Sequence, residues 1–171
     1  MKGLTPWQPW ASLVAVGAKW IETRSWPANY RGPLPIHAAA SASEGRRDAI
    51  ESRLARRIVA AGLRPDGIGM PRGKVLAVAI LADCRRSPGE SIWADDQVDM
   101  GDLSAGRFAW IPRDVLRLDR PVPWRGSQGL WDARDFLESC PELADADGGP
   151  MAPARRGAVQ LALFGPEGGG R

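Results

Sequence analysis

Lys19, Glu22 and Arg24 stand close together in the stretch Gly17 to Arg24, and Trp7, Trp10 and Trp26 flank them. Two cations, an acid and three large aromatics beside one turn are costly to bury without a partner, so this stretch is a candidate binding or reaction site. Arg24 carries a planar fork suited to a phosphate or a base edge. Lys19 carries a compact amine that can contact phosphate or, when desolvated, act as a base. The chain has three lysines against twenty arginines, which singles Lys19 out further. The tryptophans offer faces on which unpaired bases stack. A structural reading of the same residues stays open: Glu22 and Arg24, neighbours on one strand face, pair in the wall of the fold, and the indoles fill its core.

The elements that must position these groups are read from periodicity. Lys2 to Trp7 is extended, and Trp10 to Gly17 fits a short helix closed by glycine. Alternation predicts a strand over Lys19 to Trp26, with Trp20, Glu22, Arg24 and Trp26 on one face and Lys19, Ile21, Thr23 and Ser25 on the other. After a turn-rich connection, Leu34 to Ala38 is a further strand. It carries His37, the single histidine, as either a general base or a hydrogen-bonded structural residue. Ser43 is placed to cap a helix over Glu44 to Ala61, with Ile50, Leu54, Ile58 and Ala61 on one side. Its other side is crowded with Arg46, Arg47, Arg53, Arg56 and Arg57 and meets either phosphates or solvent.

The continuous apolar run in Lys74 to Asp83 marks the buried centre of a sheet. Glu90 to Asp102 is acidic and irregular, and its aspartates lack the spacing and central glycine of a calcium loop. Phe108 to Ile111 and Val115 to Leu118 are two more strands, followed by a short helix near Asp132 to Leu137. Short strands interrupted by a few helices, without βαβ rhythm, predict an α+β fold built on a small, mostly antiparallel barrel.

At 171 residues and 44% hydrophobic content the chain can bury one ordinary core. Residues 1–138 form the expected domain, and residues 139–171, eleven of them Gly or Pro, a flexible tail. Residues 1–86 hold 14 Lys or Arg against 6 Asp or Glu, whereas residues 87–171 hold 9 against 14. That split points to a polyanionic partner for the first half, unless folding mixes the charges on the surface. The longest apolar run, Val75 to Ala82, is too short to span a bilayer, and the N-terminus lacks an export pattern, so a cytoplasmic protein without membrane contact is expected. Cys84 and Cys140 have no metal-ligand spacing; neither a metal nor a cofactor is expected.

Five ordered segments resemble an ASCH domain: Gln8 to Ser12, Gly17-x-Lys19-x-x-Glu22-x-Arg24, Tyr30-Arg31-Gly-Pro before Ile36-His37, Gly106 to Trp110, and Gln128 to Trp131. Within that family the chain is most similar to the branch containing the C-terminal domain of activating signal cointegrator-1. The resemblance implies a PUA-like β-barrel with flanking helices. It also implies a cleft for nucleic acid (RNA or single-stranded DNA) or a nucleoside, lined by Lys19, Glu22 and Arg24; beside that implication, Trp7, Trp10, Trp26 and Arg31 are candidate nucleic-acid contacts from their own chemistry. Relatives include small hydrolases of N(4)-acetylcytidine and proteins with ribonuclease activity. By that analogy Lys19 would activate water and Glu22 shuttle a proton. The hydrolases' threonine, however, sits where this chain has Glu22, with Thr23 one residue off. Asp83 or Glu90 are candidates for the additional carboxylate.

A second signal lies in the tail. Gln160, Leu161, Ala162, Leu163 and Phe164 look like the pentapeptide by which polymerases and repair proteins hold the bacterial sliding clamp. A flexible peptide can place Leu161, Leu163 and Phe164 in preformed apolar pockets. Docking of the same residues back onto the barrel is the alternative.

Overall fold

The expected central strand is the spine of the molecule. A computed structural model describes residues 1–41 and 52–140, and in it Lys74–Arg86 (β4) lies inside a six-stranded sheet. The other strands are β1 (Lys2–Leu4), β2 (Glu22–Arg24), β3 (Gly32–Ala38), β5 (Phe108–Pro123) and β6 (Leu130–Asp132), in the order β2-β5-β4-β3-β1-β6. β1 and β3 run parallel and every other pair antiparallel. The sheet curls into a half-barrel whose concave side holds Leu4, Leu34, Ile36, Ala77, Leu81 and Trp110, each at most 2% exposed. The α+β class and PUA-like architecture stand, with β2 and β6 left as edges.

Among the described residues four helices flank the sheet: α1 (Trp10–Ala15), α2 (Ser52–Ala60), α3 (Asp95–Val98) and α4 (Arg134–Glu138). α1 ends where glycine was expected to end it. Gly17 takes φ 79°, and its N–H reaches back to the Val14 carbonyl while the Lys19 N–H reaches the Leu13 carbonyl. In α2 the anticipated apolar positions Leu54 and Ile58 are buried against Leu13, Met70 and Met100. Arg57, flanking that apolar side, pairs with Asp99 beyond α3 at 2.9 Å. Ser43, the first part of that helix, and the tail with Gln160 to Phe164 lie outside the described residues. Among the described residues no helix is long and apolar enough to cross a membrane.

Several boundaries differ from expectation, each for a physical reason. The two strands foreseen at Phe108 to Ile111 and Val115 to Leu118 are one strand, β5, which runs through Pro112 and Asp114. Register shifts against β4 and a φ of 48° at Asp114 absorb the residues that disturb the ladder. The strand foreseen over Lys19 to Trp26 shrinks to Glu22–Arg24, because the N–H groups of Trp20 and Ile21 are taken by a side chain instead of a neighbouring strand. The acidic stretch after Glu90 is not wholly irregular; it contains a 3-10 turn, Glu90–Ile92, and α3.

Strand β6 was not foreseen. It pairs with β1 so that Trp131 opposes Gly3, and the indole lies flat on the space a side chain would take there. A Cβ at Gly3 would stand 2.3 Å from Cζ2 of Trp131. Gly3→Ala is therefore expected to lower stability by about 1–3 kcal/mol through overpacking. Thermal unfolding measures this, and an unchanged midpoint would show that the indole swings aside without cost.

Candidate functional site

Strand β2 puts Glu22 and Arg24 on the concave side, as alternation required. Glu22 opposes Trp110 and Arg24 opposes Phe108. Glu22 borders an apolar interior with Leu4, Leu34, Ile36, Leu81 and Trp110, and answers two cations there. Its Oε1 is 3.0 Å from Arg24 Nη2, and its Oε2 is 3.6 Å from Lys19 Nζ. The wall pairing of Glu22 with Arg24 is thus present, and Lys19 joins it.

Lys19 was assigned to the opposite face. That inference required the strand to begin before Glu22, which it does not. Instead the Lys19 side chain turns back along the chain, where its ammonium donates to the Ile21 carbonyl just before β2 and reaches Glu22. The residue is 1% exposed, so the amine does not stand open to solvent. Burial pulls its pKa below 10.5, with Arg24 acting in the same direction; the Glu22 charge and hydrogen bond partly restore it. Arg24 has 24% of its side chain exposed and is the more outward of the two cations. Its Nε is buried without a hydrogen-bond acceptor among the described residues.

Two residues that sequence reasoning passed over hold this arrangement in place. Gln97, fully buried on α3, accepts from the Trp20 and Ile21 N–H groups at 2.9 and 3.1 Å, and donates to the Ala18 carbonyl and to Asp96, each at 3.0 Å. One amide thereby fixes the backbone on both sides of Lys19. Gly101 closes over the amine: a Cβ there would be 3.0 Å from both Lys19 Nζ and Thr23 Oγ1. Only the interruption of an acidic run by Gln97 and Gly101 hints at these roles in the sequence.

The expected aromatic wall is divided. Trp26 is half-buried and meets Trp110 edge to face at 4.7 Å, its carbonyl accepting from the Trp110 indole N–H at 3.2 Å. Trp10 donates to the Met100 carbonyl at 2.9 Å. Trp7 is 42% exposed. Arg31 donates to the Ala28 and Tyr30 carbonyls at 2.8 Å and lies 3.4 Å from Asp83, which is also 2.5 Å from Arg85. Those arginines hold the Asp83 carboxyl below its usual range, the Arg85 hydrogen bond contributing most. Asp83 therefore answers arginines, and the carboxylate beside Lys19 is Glu22.

His37 is 2% exposed, and its Nε2 donates to the Trp124 carbonyl at 2.9 Å. Burial lowers its pKa, partly offset by that bond. Its Nδ1 faces Gly126 so closely that a Cβ there would stand 2.2 Å away, which leaves no place for a reacting group and favours the structural role. Among the described residues no group of three or more His, Cys, Asp or Glu side chains could hold a metal ion. Cys84 and Cys140 are free thiols.

Comparison with known proteins agrees with this architecture. Residues 4–110 match the family described as ASCH domain. The crystal structure of ASCH from Zymomonas mobilis is similar with a TM-score of 0.53 at 14% identity, covering 83% of this chain and 94% of that one. A tyrosine-to-phenylalanine mutant protein of ZmASCH from the same organism gives 0.48 at 14% identity, covering 83% and 96%. No curated protein matches the chain. At these identities the likeness to the first structure establishes the fold.

Proposed function

The chain belongs to the ASCH domain family, and from that premise we propose that it binds RNA or single-stranded DNA on the concave side of its half-barrel, at the end where Arg24 emerges. ASCH domains are generally thought to bind RNA. The observation that carries the reading is the placement of Arg24: an outward guanidinium held by a buried carboxylate, which is itself held by a buried amine. A fork fixed in this way loses little freedom on meeting a phosphate or a base edge. In this reading Lys19 is a positioning residue acting through Glu22. Trp26 lines the same side.

Titration of labelled single-stranded RNA and DNA at several salt concentrations tests the proposal. Arg24→Ala is expected to weaken binding about tenfold or more, the weight of a lost hydrogen bond to a charged group. It should also make the slope of log K against log salt shallower by about 0.7, the share of one single-strand phosphate. Equal affinity and equal slope would remove Arg24 from the interface. A second reading, a hydrolase of a modified nucleoside or a ribonuclease, rests on the lowered pKa of Lys19 beside Glu22 and Thr23. Metal-free turnover of N(4)-acetylcytidine or of RNA, abolished by Lys19→Met, would replace the binding reading with that one.

A further inference from the structure

The ladder that carries Arg24 continues beyond it. Arg24 is paired with Phe108 on β5, and Phe108 is paired on its other side with Arg86 on β4. Directly paired antiparallel residues point to the same side of a sheet, so these three side chains form one row, with an aromatic ring in the middle and a guanidinium at each end. Strands lie about 4.8 Å apart, which separates the two arginine backbones by about 10 Å. The next row on that side, Glu22, Trp110 and Cys84, belongs to the packed interior, where Trp110 is fully buried. Phe108 packs against that interior but is only partly covered, and Arg86 is exposed. The row therefore lies at the rim.

Its charges are not balanced. Arg85, one residue earlier and on the opposite side of the strand, is neutralised by Asp83. Among the described residues no acid lies within ion-pair distance of Arg86, and Arg24 shares Glu22 with Lys19. Beside the Arg86 guanidinium lies Gly106, which presents no side chain; a Cβ there would be 3.9 Å from Arg86 Nη2. An occupant must bring negative charge to both ends and a flat π face to the centre. A nucleotide inside a strand has this form, with a base between two phosphates. A free nucleoside lacks the charges, and a base within a duplex has its faces covered by its neighbours.

We propose that Arg24, Phe108 and Arg86 hold one unpaired, internal nucleotide of a single strand, its base on Phe108 and its two flanking phosphates on the arginines. This rests on the nucleic-acid reading above and adds the class of ligand to it. The test compares a short oligouridine single strand, the same strand annealed to its complement, and uridine. The wild-type protein should favour the single strand over both others. Arg86→Ala should weaken single-strand binding about tenfold and make the salt slope shallower by about 0.7. Phe108→Leu should cost roughly 5- to 100-fold with the slope unchanged, since stacking is not ionic. Should Phe108→Leu unfold, Arg86→Glu decides, because Arg86 is exposed and its reversal leaves the core untouched. Wild-type affinity in the Arg86 variants would overturn this row while leaving the nucleic-acid reading in place; no binding of any oligonucleotide by the wild type would overturn both.

Discussion

Glu22→Gln is expected to destabilise the protein by about 3–5 kcal/mol at neutral pH, although it changes neither the size nor the shape of the side chain. The cost comes from what stays behind. Lys19 is 1% exposed, and Glu22 is its ion-pair partner among the described residues. Removing one member of a buried pair strands the other charge, and that costs far more than the pair itself contributes. Arg24 makes matters worse, since its guanidinium would then share the site with the ammonium without an acid between them. The pH dependence gives a signature that simple loss of packing would not. Lys19 already has a folded pKa below 10.5, so the folded state gives up this proton before the unfolded state does. Stability from this group is lowest while both states are protonated and rises with pH from the lowered folded value to 10.5. Without Glu22 the folded value falls further, and the rise begins at lower pH. Denaturant unfolding at pH 7 and pH 10 should therefore show the deficit of Glu22→Gln shrinking as pH rises. Lys19→Met added to Glu22→Gln should recover much of the loss at pH 7. A deficit below about 1 kcal/mol, or one indifferent to pH and to Lys19→Met, would mean that the lysine and glutamate are not energetically linked.

The sequence made this pair visible as residues but not as a contact. Local periodicity was enough for β4, for α1 with its closing glycine, and for the apolar side of α2, because each is a pattern within one segment. It also placed Glu22 and Arg24 correctly on one face. It failed for Lys19 because alternation holds only within a strand, and the strand begins three residues later. What stops the strand is a hydrogen bond from another element, which no local pattern records. The continuity of β5 was hidden for a similar reason: Pro112 and Asp114 are residues that usually end strands, and here the ladder to β4 shifts register around them. Three-residue β6 has too little sequence to show a period, and its existence depends on β1 at the far end of the chain. The row of Arg24, Phe108 and Arg86 is likewise a product of register: its members come from three strands.

That dependence on a distant side chain can be tested directly, and Gln97→Ala is the second large effect expected. The substitution removes the acceptor for two N–H groups and the donor to the Ala18 carbonyl in one step. Each backbone group left buried without a partner costs about 1–3 kcal/mol, so a total of about 2–6 kcal/mol follows if water reaches one of the three. Trp20 is 37% exposed, which makes its N–H the one that water can rescue. The damage should be local before it is global. Amide exchange at Ile21 is expected to speed up by orders of magnitude while the β4 amides stay protected, since the segment carrying Lys19 is tied to α3 by this amide. Single-strand affinity should fall with it, even though Gln97 lies outside the proposed contact, because a loosened Lys19 no longer steadies Glu22 and, through it, Arg24. Gln97→Glu separates the two halves of the clamp. It keeps an acceptor for Trp20 and Ile21 but loses the donor to Ala18 and sets a second carboxylate beside Asp96, so it should retain Ile21 protection better than Gln97→Ala. If Ile21 exchanges no faster in Gln97→Ala than in the wild type, the segment is held by its own turn and by the Gly101 contact, and the connection from α3 to Arg24 does not exist.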